Sequence, residues 1–94
     1  MKMTALRAEA RGRECQVRLP GICCHDPETT VLAHLRMIGI SGFGLKASDF
    51  LGAHACYACH MYVDSHHDDA TKVAFYEGIF RTQAQLLREG ELHL

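Results

Sequence analysis

The order of apolar and polar positions divides the chain into a basic start, a cysteine-bearing turn, one apolar run, a glycine-rich stretch and two helical segments. Residues 1–13 are polar and basic. Helical propensity in MTALRAEARGR ends at Gly12, which predicts a frayed helix or an arm. CQVRLPGICC alternates as far as Pro20 and Gly21, predicting a short strand that turns back and brings Cys15 towards Cys23. After a second turn at His25, Asp26 and Pro27, the β-branched, apolar run TTVLAHLRMI predicts a strand, although its period also admits a helix. GISGFGLKASDFLG, with four Gly in fourteen residues, predicts a loop long for so small a domain, and such loops are usually functional or disordered. HACYACHMYVDSHH predicts a turn followed by a short helix. Asp68 or Asp69 then caps a helix through ATKVAFYEGIFRTQAQLLRE, with Val73, Tyr76, Ile79, Phe80, Leu86 and Leu87 as its buried stripe and Gly90 closing it. The expected fold is α+β in one domain, residues 1–94: an arm over 1–13, a central motif over 14–67 and a C-terminal helix over 68–90.

Composition adds a need for reinforcement. The chain is 48% hydrophobic, but it has no Trp and only three Tyr and four Phe, so burial alone gives a thin margin and a staple is expected. Five cysteines are an odd number for a disulfide framework, and MKMTALRAEARGREC has no apolar segment like that of a secretory signal. These features predict a cytoplasmic location, where clustered Cys and His read as a metal site rather than as bridges. No apolar run is long enough to span a membrane. The net charge of −1 argues against a strongly electrostatic nucleic-acid binder, but it is unevenly spread. Residues 1–47 carry seven Lys and Arg against four acids, and residues 48–94 carry three against seven. A basic face beside an acidic, metal-binding face suits a nuclease; a mixed solvated surface accounts for the same charges.

The chemistry concentrates in the cysteines and histidines. Cys56 and Cys59 form a CxxC, a spacing that lets two thiolates reach one tetrahedral Zn²⁺. Cys15 and Cys23, on either side of the Pro-Gly turn, supply the other two ligands, with Cys24 or His25 as substitutes for Cys23 if the turn is tighter. A buried thiol pair, a redox CxxC and, for Cys56-Tyr57-Ala58-Cys59-His60, a c-type haem attachment are the competing readings. No thioredoxin-like βαβ pattern surrounds the pair, and haem would leave Cys15 and Cys23 unexplained. His34 and His60 sit at the ends of facing elements, one suited to be a base and the other a ligand for a divalent cation. Asp64, one helical turn after His60, is a second candidate ligand for that cation. Arg36, two residues beyond His34, can clamp a phosphate through its two parallel donors. His25 and His54 flank the cysteine loops as possible hydrogen-bond partners of a thiolate. His66 and His67 are expected to be exposed.

The order Cys, Cys, strand ending in His, glycine-rich loop, Asp, then CxxCH opening a helix resembles the HNH or His-Me finger nucleases and their ββα-metal motif, over residues 14 to about 67. Nearly end to end, RECQVRLPGIC, PETTVLAH, DFLGAHACYACH and FRTQAQLLREG resemble the YbcO-like family of small prophage-encoded nucleases. That resemblance implies a DNA endonuclease with a structural Zn²⁺ on Cys15, Cys23, Cys56 and Cys59. It makes His34 the general base, puts Asp49 in the second slot of the site, and makes His60 a ligand of a catalytic Mg²⁺ or Mn²⁺. Three positions depart from the HNH pattern: Ala33 stands where many such enzymes have an acidic ligand, Asp49 replaces the middle Asn, and Asp64 replaces the last His. The resemblance also admits a homodimer that cuts both strands. The alternative is a non-catalytic zinc-ribbon module that binds nucleic acid or a recombination protein.

Overall fold

A computed structural model describes residues 3–35 and 49–90, with side chains from Leu6 onward. The described residues form a small α+β domain with a two-stranded sheet and a long C-terminal helix. Helix α1 (Met3–Ala8) comes first, and the segment from Glu9 to Asp26 is irregular. A 3₁₀ turn at Pro27–Thr29, capped by the Asp26 side chain on the Glu28 N–H, leads into β1 (Val31–His34). A second 3₁₀ turn at Asp49–Leu51 leads into β2 (Gly52–Ala55), then α2 (Tyr57–Ser65) and α3 (Asp69–Arg88).

The strand expected before Pro20 is absent. Arg18 has φ 55° and His25 φ 56°, left-handed values that few non-glycine residues adopt and that no strand can contain. The backbone there bends around its sulfur atoms instead of forming a strand.

β1 and β2 are antiparallel, with Val31 opposite Ala55 and His34 opposite Gly52. His54 turns its backbone groups away from β1. Its N–H donates to Thr82 Oγ1 at 2.9 Å, and its carbonyl accepts from the Gln16 N–H at 2.7 Å. The outer edge of β2 is therefore covered by α3 on one side and the cysteine loop on the other, which blocks pairing with another chain.

α3 lies across β2. Asp68 caps it through the Thr71 N–H, and Gly90, at φ 80°, ends it with the turn glycine adopts most readily. The buried face is Thr71, Phe75, Gly78, Ile79, Thr82 and Leu86; of the expected stripe Ile79 and Leu86 are buried and Tyr76 is partly buried, whereas Val73, Phe80 and Leu87 are exposed. Close approach explains the choice. A Cβ on Gly78 would stand 2.9 Å from Val17 Cγ2 and 3.2 Å from the Gln16 carbonyl oxygen, so no side chain fits at position 78, where the helix meets the cysteine loop. The core between α3, the sheet and the cysteine loop contains Val17, Leu19, Ala33, Leu35, Ala53, Ala55, Phe75 and Ile79, with Cys15, Cys56 and Cys59 among them.

Candidate functional site

Two elements bring four cysteines together. The irregular loop supplies Cys15 and Cys23, and the start of α2 supplies Cys56, its N-cap, and Cys59 in its first turn. All four sulfur atoms lie within 4.8 Å of one another, with Cys56 Sγ and Cys23 Sγ 3.8 Å apart. A tetrahedral ion with bonds of about 2.3 Å to sulfur needs S–S edges of about 3.8 Å, so the four can hold a metal ion such as zinc after a small contraction.

Backbone donors already point at the sulfurs. The Arg18 N–H reaches Cys15 Sγ, and the N–H groups of Cys24 and Cys59 reach Cys56 Sγ, each at 3.4 Å. Burial pushes the Cys15 and Cys56 thiols up, yet these donors together hold both below the ordinary thiol value. Cys23 is pushed up to about 11, by burial first and then by the adjacent Cys15 charge. Cys59 is raised further by burial and the same neighbour. Four thiolates at such distances oppose one another, and a divalent cation at their centre removes that conflict. Cys24 is exposed and turned away, its Sγ 3.6 Å from Thr29 Oγ1.

Of the two histidines expected near the thiolates, His25 approaches Cys23 Sγ with Nδ1 at 3.7 Å. His54 does not take that role. Its ring is buried beside α3, with Nδ1 lacking a hydrogen-bond partner among the described residues, and its pKa is pushed down to about 4 by burial and the Arg13 charge.

A second group lies at the other end of the sheet. His34 closes β1, and Asp49 opens the 3₁₀ turn before β2, so the antiparallel register brings residues fifteen apart in sequence into contact. His34 Nε2 lies 2.6 Å from Asp49 Oδ1. Asp49 is 4% exposed, Arg7 Nε from α1 stands 3.4 Å from the same oxygen, and Oδ2 is buried with no hydrogen-bond partner among the described residues. His34 also lines a cleft of about 80 Å³ with Asp64, His66, His67, Lys72 and Tyr76.

On α2, His60 Nε2 and Asp64 Oδ2 are 3.5 Å apart across one turn, as their spacing predicts. Asp64 lines the His34 cleft; His60 is not among its lining residues. Apart from the four cysteines, no group of three His, Cys, Asp or Glu side chains among the described residues gathers around one point as ligands of an ion would. His66 and His67 are exposed, and the His66 ring stacks on Tyr62 at 3.7 Å. Arg36 and most of the glycine-rich stretch lie outside the described residues. Reasoning from sequence missed Arg7 and Lys72: neither belongs to a motif, and only the fold brings them to Asp49 and to the cleft.

A family model described as "Putative nuclease YbcO" matches residues 4–91. The chain is 50% identical over 92 residues to "Putative nuclease YbcO" of Escherichia coli (strain K12), covering 94% of this chain and 96% of that protein. The same identity and coverage hold for "Putative nuclease ybcO" of Enterobacteria phage 82. A solved structure titled "Structure of a putative bacteriophage protein from Escherichia coli str. K-12 substr. MG1655" superposes with a TM-score of 0.75 at 44% identity, covering 92% of this chain and all of that one.

Proposed function

The chain belongs to the YbcO family, and from that premise we propose that it is a prophage-derived, metal-dependent endonuclease that hydrolyses phosphodiester bonds in DNA, built on an HNH-like arrangement of two strands and a helix. The observation that carries this reading is the His34–Asp49 contact of 2.6 Å at a cleft shared with Asp64.

Hydrolysis needs a base for the attacking water and positive charge for the phosphoryl oxygens. With Asp49 ionised, His34 donates its Nε2–H to Oδ1 and keeps its lone pair on Nδ1, the tautomer that can accept a proton from water. Burial of Asp49 and its contact with Arg7 hold the carboxylate in place for this. His60 and Asp64 would hold Mg²⁺ or Mn²⁺, leaving most of its shell to water and substrate phosphate, and Asp64 suits a cation that prefers oxygen ligands. When bound, such an ion supplies charge stabilisation at the phosphate. In this reading the four cysteines carry Zn²⁺ in a closed structural site, which fits the burial of Cys15, Cys56 and Cys59 and a full set of four sulfur ligands. Arg36 adds a phosphate clamp.

Supercoiled plasmid with Mg²⁺ or Mn²⁺ tests the proposal: nicking is expected, and EDTA abolishes it. His34→Ala should lower the rate by about 10²- to 10⁴-fold with fold and zinc intact, and added metal should not restore it. His60→Ala should be partly rescued by raised Mn²⁺, with zinc content measured on the same sample because His60 adjoins Cys59. Wild-type chain that shows no nicking under any divalent ion, or His34→Ala as active as wild type, would leave the non-catalytic zinc module. That rival draws its support from the sparse ligand set on α2.

A further inference from the structure

A groove of about 380 Å³ runs between the cysteine loop and the C-terminal half of α3, walled by Arg18, Arg81 and Arg88, with Glu14 as the one acid among its described lining residues. Arg81 and Arg88 lie seven residues apart, two turns of one helix face, and Arg18 faces them from the loop.

What holds these side chains is largely neutral. Arg81 donates through Nη1 to the Gln16 carbonyl at 2.6 Å, and its other nitrogen reaches exposed Glu77 only at 3.4 Å. Arg18 donates through Nε to the Cys15 carbonyl at 3.2 Å and through Nη2 to Gln16 Oε1 at 3.1 Å. Arg13 shows the contrast: its guanidinium meets Glu89 at 2.7 Å and Glu9 at 3.1 Å, so its charge is spent within the fold. Carbonyl oxygens fix the direction of a guanidinium while leaving its net charge in place, and a planar fork so fixed suits phosphate oxygens.

We propose that this groove is a docking site for the phosphates of a DNA backbone, at a distance from the bond that is cut. It rests on the nuclease reading for the identity of the polyanion. The groove lies on the flank of α3 away from the cleft: in helical projection Arg81 sits about 180° from Lys72, nine residues earlier, which lines the cleft. The helix is about 10–12 Å across, so a duplex engaged at the cleft can extend its backbone past α3 to the second flank. Contacts of this kind add affinity and register without reading sequence. Because Cys15 and Gln16 provide the carbonyls that aim Arg18 and Arg81, the groove is built on the cysteine loop itself.

The test is binding of a fluorescein-labelled 20-base-pair duplex by anisotropy, without added Mg²⁺ or Mn²⁺, over a salt series. Arg88 is exposed in the last turn of α3, so Arg88→Gln and Arg88→Glu serve as variants that keep the loop's hydrogen bonds. Arg88→Gln should reduce the slope of log affinity against log salt by about 0.9, the value for one phosphate contact, to the same extent on unrelated sequences. Arg88→Glu should weaken binding at least tenfold, and Arg88→Lys should retain the wild-type slope. The triple variant Arg18→Gln, Arg81→Gln, Arg88→Gln should lose more, provided its melting transition is retained. Wild-type chain that binds no duplex, or Arg88→Glu with wild-type affinity and slope, overturns the proposal. Plasmid nicking is scored separately: binding through the groove without nicking refutes the nuclease reading alone, and nicking with binding indifferent to Arg88 refutes the groove alone.

Discussion

Replacing Thr82 by valine removes one oxygen from the centre of the fold and almost no volume. Thr82 is 1% exposed; its hydroxyl accepts the His54 N–H at 2.9 Å and donates to the Gly78 carbonyl at 2.8 Å. The carbonyl keeps its helical partner in the variant, so its loss is small. The His54 N–H loses its partner, because it faces away from β1 and α3 closes off water. An orphaned buried donor costs about 2 kcal/mol, and the apolar methyl recovers about 0.8 kcal/mol of that, leaving a net loss of about 1 kcal/mol. For a domain of this size each kcal/mol moves the melting midpoint by about 4–8 °C, so Thr82→Val should melt about 4–8 °C below wild type. Thr82→Ser keeps the hydroxyl and loses a methyl group, which costs about 1 kcal/mol. Thermal unfolding by circular dichroism at fixed zinc measures both. A valine variant within about 2 °C of wild type would refute the claim that this hydroxyl secures β2 to α3.

Cys59→Ser should unfold or aggregate the chain, since ion binding in small cysteine sites contributes on the order of 10 kcal/mol to folding; a variant that lacks zinc but keeps its thermal midpoint would contradict a structural ion. Cys24→Ser should leave zinc stoichiometry at the wild-type value, measured by metal analysis, and alkylation of the native protein should mark Cys24 before Cys23. Glu89→Gln should lower the melting midpoint at neutral pH. The Glu89 carboxyl is held below its ordinary value by the Arg13 hydrogen bond. A depressed folded-state pKa gives stability that is present above the unfolded value of 4.5 and lost as pH falls through the lower folded value. The difference between wild type and variant should therefore vanish in acid; a difference that persists at pH 2 would assign the effect to packing.

Features written over a few residues were legible in the sequence. The Pro-Gly turn between Cys15 and Cys23, a cap at Asp68 or Asp69 and the Gly90 stop depend on local geometry, and the structure has each, with Asp68 as the cap; the short helix expected after the CxxC begins within it, at Tyr57. β2 was not legible. Gly-Ala-His-Ala has neither alternation nor β-branched residues, because all four positions are buried and α3 leaves room only for small side chains along Ala53 and Ala55. The same close approach hid the inner face of α3. Hydrophobicity favours Val73, Phe80 and Leu87, but Gly78 and Thr82 are what fit against Val17 and β2. The His34–Asp49 contact was foreshadowed only by family resemblance, since the register that creates it depends on the unrecognised strand.

That strand links the two candidate centres. β2 opens at Gly52, opposite His34, and ends at Ala55, next to Cys56, which both caps α2 and belongs to the cysteine cluster. Along its four residues it is bonded to the cysteine loop through Gln16 and to α3 through Thr82. An ion among the thiols would therefore fix the origin of α2, which carries His60 and Asp64, and the far end of the strand whose near end sets the His34 register. Loss of the ion should release both halves of the cleft together. In activity measurements, partial zinc depletion should consequently lower the fraction of active molecules while leaving the turnover of the remaining zinc-bound molecules unchanged. A turnover number that declines per zinc-bound molecule would instead place the cysteine-bound ion within the chemistry.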